Sequence, residues 1–180
     1  GDTRHLLTRG ITGLSYRIVE KDQAVVLVVN GQRAPAQNVT WTGTEGSDWD
    51  YLTENWTLNG QPTTFVAGDR LLFDDSASST TVSINELMPV AEVEVNASKS
   101  FTFQGDGGLS GSCSLMKNGT GTLNLKTVKA DYTGATIING GTVAVWSLAD
   151  GGSPSSLGAA SSSPSNLQIG KATLTVNNSN

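Results

Sequence analysis

Of the residues able to do chemistry, the tryptophans stand out first. The chain has four, Trp41, Trp49, Trp56 and Trp146, beside three Tyr and four Phe. Two tight clusters, Asp48-Trp49-Asp50-Tyr51 and Asn55-Trp56-Thr57, set a flat ring among carboxylates, an amide and a hydroxyl. Such groups suit carbohydrate, because an aromatic face stacks on a sugar ring while polar neighbours bond its hydroxyls. Trp49, Tyr51, Asp48 and Asp50 are therefore the candidate carbohydrate-binding set, and that role requires an exposed Trp49. A competing reading makes Trp41 and Trp56 the plug of a stacked fold, since a terminal rung must be covered or expose core and edge. Trp49, Leu52 and Trp56 follow Ser47 at helical spacing, which permits one short capping helix.

The acidic set Asp48, Asp50, Asp69, Asp74 and Asp75 could supply oxygens to a hard cation such as Ca²⁺. These residues fall at turns, however, where Asp accepts hydrogen bonds from the backbone two residues on. Turn capping is the expectation, with no metal and no cofactor. Cys113 and His5 are the single cysteine and the single histidine. A thiolate nucleophile needs an activating base, and His5 lies near the terminus, so Cys113 is expected to be a buried apolar side chain. Glycosidase chemistry needs two carboxylates about 5–10 Å apart; Asp74 with Glu92 is conceivable but has no supporting motif. Lyase chemistry needs a base and a cationic cluster, whereas Arg70, Lys99, Lys117, Lys126, Lys129 and Lys171 are dispersed. No catalytic residue is assigned. Asn-x-Ser/Thr triplets at Asn38, Asn55, Asn96, Asn118 and Asn177 arise readily in so polar a chain and carry no functional weight.

The elements that must position these residues follow from composition and period. A length of 180 residues suits one domain. The net charge of −5 lacks the basic surface a phosphate backbone demands, so nucleic acid is not an expected partner. The longest apolar run, Ala24 to Val29, falls far short of the ~20 residues of a membrane helix, so no membrane insertion is expected of this segment. Residues 1–10 hold no signal-peptide core, which places any export signal upstream or already removed.

Apolar and polar residues alternate with the period of a strand. Residues 14–30 read as a hairpin around Glu20-Lys21-Asp22-Gln23, followed by a Pro/Gln/Asn linker. From Asp69 onward, short strands are expected at Leu71–Phe73, Val82–Ile84, Val93–Val95, Phe101–Phe103, Cys113–Leu115, Leu123–Leu125, Thr136–Ile138, Val143–Val145, Leu167–Ile169 and Leu174–Val176. A Ser/Pro/Gly segment from Asp150 to Asn166 interrupts them. The pattern fits a β-sandwich or a β-solenoid, and the shortness of the strands favours the solenoid. Leu123, Leu125, Ile137, Val143 and Val145 are expected to share one stacked core. The division expected is a hairpin segment and linker over 1–37 and a β-helix domain over 38–180.

Residues Gly119 to Val145 read GTGTLNLKTVKADYTGATIINGGTVAV. This stretch resembles the autotransporter-associated β-strand repeat, with pattern GxGTLxL, NxYTGxTxI and GTLxV. The matching positions are Gly119, Gly121, Thr122, Leu123 and Leu125, then Tyr132, Thr133, Gly134, Thr136 and Ile138, then Gly141, Thr142 and Val145. Ala130 and Val143 depart from it, where the pattern prefers Asn and Leu. Trp41-Thr42-Gly43, Trp49-Asp50, Asn55-Trp56 and Phe73-Asp74-Asp75 resemble what leads into such repeats, so the likeness spans about 39–176.

The resemblance implies an all-β, right-handed parallel β-helix in a secreted or cell-surface bacterial protein, and no catalytic set. The function expected is a non-enzymatic structural module, a stalk or spacer whose partners are other domains of one longer polypeptide. The alternative is a carbohydrate-binding accessory module of a polysaccharide-degrading enzyme, with polysaccharide as partner.

Overall fold

In the computed structural model, which describes residues 15–21, 24–30, 36–127 and 129–177, short strands stack along a single axis. His5, the hairpin tip at 22–23 and the 31–35 part of the linker lie outside the described residues. The hairpin itself is present as β1 (Ser15–Lys21) and β2 (Ala24–Asn30), paired antiparallel from Ser15↔Asn30 to Lys21↔Ala24.

The stack begins at β3 (Asn38–Trp41). A second hairpin follows, β4 (Trp56–Leu58) and β5 (Gln61–Thr63), joined by Asn59-Gly60. Both turn residues have positive φ, 52° and 76°, the backbone shape of a primed two-residue turn and the reason Asn-Gly suits it. Each later turn of the chain then supplies up to three strands. The first gives β6 (Arg70–Asp74), β7 (Thr81–Ser83) and β8 (Leu87–Pro89); the second gives β9 (Glu92–Asn96), β10 (Phe101–Gln104) and β11 (Gly108–Ser110). The third gives β12 (Ser114–Asn118) and β13 (Thr122–Leu125), the fourth β14 (Thr136–Ile138) and β15 (Thr142–Val145), and the last β16 (Leu167–Ile169) and β17 (Thr173–Val176).

Like strands pair with like, and always parallel from β6 onward. Sheet order is β16-β14-β12-β9-β6-β3-β4-β5 on one side, β17-β15-β13-β10-β7 on the second and β11-β8 on the third. This is a parallel β-helix, and the parallel pairing removes the sandwich. Its repeat is 22 residues from Arg70 to Glu92 and again to Ser114, and 21 from Leu115 to Thr136. The spacing widens to 32 between Asn38 and Arg70 at one end, and to 31 between Thr136 and Leu167 at the other.

Alternation within each strand turns every second side chain inward, and register stacks those residues into columns. Leu71, Val93, Leu115 and Thr136 form one column; Phe101, Leu123 and Val143 another; Val82, Phe103, Leu125 and Val145 a third, all buried. One expected core position is corrected. Register with Leu115 and Lys117 turns Thr136 and Ile138 inward and leaves Ile137 half-buried on the outer side. The buried Thr136 hydroxyl is satisfied by the hydroxyl of Tyr132, 2.6 Å away, and burial raises the Tyr132 phenol above its usual range.

Glycines of the repeat stand where the chain passes closest to the rung before it. A Cβ built on Gly121 would lie 2.1 Å from the Lys99 carbonyl oxygen, and one on Gly134 2.1 Å from that of Cys113. Only a missing side chain allows that approach.

Candidate functional site

At the first end of the stack, Trp41, Trp49 and Trp56 converge with Phe65 and Phe73 beneath β3 and β4, all five at most 1% exposed. Trp41 meets Trp56 edge-on at 5.1 Å, and Trp49 meets Trp56 at 5.3 Å and Phe65 at 5.5 Å. Edge-to-face pairs of this kind add to the burial they accompany. The Trp41 indole donates to the Ser79 carbonyl at 2.8 Å. The indole N–H groups of Trp49 and Trp56 are buried without a hydrogen-bond partner, so packing alone outweighs two unmet donors.

This arrangement revises the carbohydrate geometry expected of the cluster. Trp49 is ringed by Trp56, Phe65, Phe73 and Phe103, so no sugar can stack on it. Tyr51 is half-buried against Phe65, ring centroids 5.3 Å apart. Asp50 accepts from the backbone N–H of Leu52 and of Thr53, both at 2.7 Å. Asp48 is exposed and its backbone bridges to Ser83. No helix forms over Ser47 to Trp56, where bends replace it. The reason is Asn55, fully buried: its side chain donates to the Asp48 carbonyl at 2.9 Å and accepts from the Glu45 N–H at 2.8 Å. That clasp holds the segment as a loop, and it places Asn55 out of reach of modification.

The other aspartates are bound into turns. Asp69 accepts from the N–H of Val66 at 3.0 Å and of Gln37 at 3.1 Å, fastening the linker to the first full rung. Asp74 accepts from the Ser76 N–H at 2.9 Å. Asp75 reaches the next rung, accepting from the N–H of Ser98 at 3.0 Å and of Lys99 at 2.9 Å. Those bonds, Lys99 first, hold the Asp75 carboxyl below its ordinary range. Asp74 and Glu92 occupy opposite ends of adjacent strands, since Arg70 pairs with Glu92 and Asp74 with Asn96. Four register steps put them about 13 Å apart along the strand, too far for glycosidase work. Glu92 instead faces Arg70 at 3.7 Å. Among the described residues no three His, Cys, Asp or Glu side chains are grouped to hold a metal.

Cys113 is buried, and desolvation together with the Asp131 charge pushes its thiol up to about 12. A protonated, enclosed thiol is no nucleophile.

Two features were not singled out from the sequence. Lys117 is 1% exposed although it is a lysine. It stands in phase with Val95 and Ile138 and turns inward, and its ammonium donates to the carbonyls of Asn118, Gly119 (3.0 Å) and Gly140 (3.3 Å) at the corner. Desolvation lowers its pKa. The signal was there: Leu115-Met116-Lys117 continues the inward alternation. Trp146 is the other, half-buried at the edge of the five-stranded sheet, with the exposed Lys126 ammonium 5.4 Å from its ring centroid.

Among the described residues nothing covers the last rung. Leu167, Ile169 and Val176, in register with buried Thr136, Ile138 and Val145, are 43–48% exposed. A cavity of about 370 Å³ opens beside them, between Thr136, Leu148, Leu157 and Leu167 and the serine-rich loop that lengthens this rung.

Set beside known proteins, the chain is 53% identical over 51 residues to an adhesin autotransporter, BmaC, of Brucella suis biovar 1 (strain 1330). The match covers 28% of this chain, and the aligned part amounts to 2% of that adhesin's length. No described protein family matches the chain. No solved structure matches it either.

Proposed function

We propose that this chain is a non-catalytic β-helix segment of a secreted or cell-surface bacterial protein, serving as a stalk or spacer in a longer polypeptide. The observation that carries this reading is the stack of buried, mostly apolar columns, with the carboxylates of Asp50, Asp69, Asp74 and Asp75 tied into turns and rung-to-rung bonds. Such a body spends its polar residues on holding shape. The partial likeness to an adhesin autotransporter supports a place outside the cytoplasm.

The test is protease shaving of intact cells of the bacterium that makes the protein, followed by mass spectrometry of the released peptides. Peptides from 118–145 recovered from unbroken cells or medium support the reading. Recovery only after lysis overturns it. A purified chain that cleaved any polysaccharide or peptide would overturn the non-catalytic part alone.

A further inference from the structure

Three of the four tryptophans are sealed in the cap at 0–1% exposure; Trp146 is not. It follows β15, and the ladder places it beside Lys126 on the rung before and Asn177 on the rung after, since Lys126 N–H donates to Phe103 and Asn177 N–H to Val145. Gln104 precedes Lys126 in the same column. The neighbouring column on this outer face runs Thr102, Asn124, Ala144 and Thr175. Neither column holds a carboxylate. By contrast, the outer face of the eight-stranded sheet carries Asp74, Glu92 and Glu94. On a chain of net charge −5, this strip is therefore free of carboxylates and charged only by Lys126, which sits at the one tryptophan left outside the core, while Ala144 in the neighbouring column is buried.

We propose that the strip around Trp146 is a binding site for an acidic glycan. The indole offers a surface for the C–H face of a sugar ring and the Lys126 ammonium a partner for its carboxylate; the Gln104 amide and the Asn124 carbonyl oxygen, whose NH2 is held by Phe101 and Thr102, are partners for its hydroxyls. Lys126 is long and exposed, so its head can leave the ring and follow the incoming charge. Rungs recur about every 4.8 Å, so a polymer lying along the axis meets Gln104, Lys126, Trp146 and Asn177 at successive steps. The site rests on these residues alone, whether the chain serves as a stalk or not.

The experiment uses the whole chain, with oligogalacturonate as acidic probe and cello-oligosaccharide as neutral one. Because Trp146 is half-buried while the other three tryptophans are sealed in the core, a change in acrylamide-quenchable emission reports on it directly. Oligogalacturonate should alter that emission and protect it from quencher. Lys126→Gln should weaken acidic binding about tenfold and Lys126→Arg should restore most of it, with added salt weakening wild type in parallel. Trp146→Ala should abolish retardation in a polygalacturonate affinity gel, with unchanged circular dichroism as the control; Trp146→Leu serves if the alanine variant does not fold. No emission change and no retardation of wild type would overturn the proposal, as would retardation that Trp146→Ala or Trp146→Leu leaves intact. Equal binding of the neutral probe, indifferent to Lys126→Gln, would overturn the acidic assignment.

Discussion

The first and last rungs of the described stack are built differently. At the first, the parallel strand β3 gains an antiparallel neighbour, and the β4–β5 hairpin covers a plug of three tryptophans and two phenylalanines. At the other, among the described residues no strand pairs with the outer edges of β16 and β17, and Leu167, Ile169 and Val176 are exposed. Both ends depart from the 21- to 22-residue repeat by about ten residues. The early insertion folds inward and becomes core; the late one, rich in Ser, Gly and Pro, stays at the surface and outlines a cavity. An insertion covers a solenoid end when it brings large apolar side chains, and decorates it when it brings small polar ones.

The largest contrast to test is between the ends themselves. Trp56→Ala should cost about 3–5 kcal/mol in urea unfolding, whereas Ile169→Ala, already half in water, should cost under about 1 kcal/mol. Equal losses would mean that the apparent difference between plug and open rung is not energetic. In the middle of the stack, Leu125→Ala should cost about 2–5 kcal/mol and its outward neighbour Asn124→Ala far less. Gly121→Ala should cost about 1–3 kcal/mol by pressing a methyl on the Lys99 carbonyl, read as a fall in melting temperature.

Smaller effects depend on pH. Lys117 is deprotonated more readily when folded than when unfolded, so between its lowered value and the ordinary value near 10.4 the unfolded chain holds the extra proton. Stability should therefore rise with pH across that alkaline window, and Lys117→Met should flatten the rise in a melting-temperature profile. Asp75 works in the opposite range. Its depressed value makes its contribution present above the ordinary carboxylate range and lost as pH falls through the folded value. Asp75→Asn should remove that acid limb, the smallest change of the set because the residue is exposed and water screens its charge.

Much of the repeat was legible from alternation alone. The strands over Thr136–Ile138 and Leu167–Ile169 agree to the residue, and most of the others agree to within a residue or two. The third side was invisible: Leu87–Pro89 contains a proline and Gly108–Ser110 a glycine, neither a strand signal. Within the cap, helical spacing from Trp49 to Trp56 misled, because a buried asparagine rather than periodicity shapes that loop. The Asn59-Gly60 turn was the clearer sign of what covers the end. The site was harder to read than the fold. Which tryptophan stays in contact with water depends on rung stacking, and the charged flanks of Trp49 suggested an exposure that its ring contacts deny.

Strands that pair along the axis have a mechanical consequence. Every inter-rung hydrogen bond points down the stack, so a pull applied near Asn177 loads β17 and then β16 rather than all rungs together. The chain then opens as a zip opens. Release of β17 and β16 frees the chain from Trp146 to Asn177, 32 residues, because β14 and β15 stay paired to the rung before, roughly 100 Å of slack at about 3.3 Å per extended residue. Tension at that end would thus be met by lengthening in steps, with the tryptophan plug at the far end the last part to feel the load.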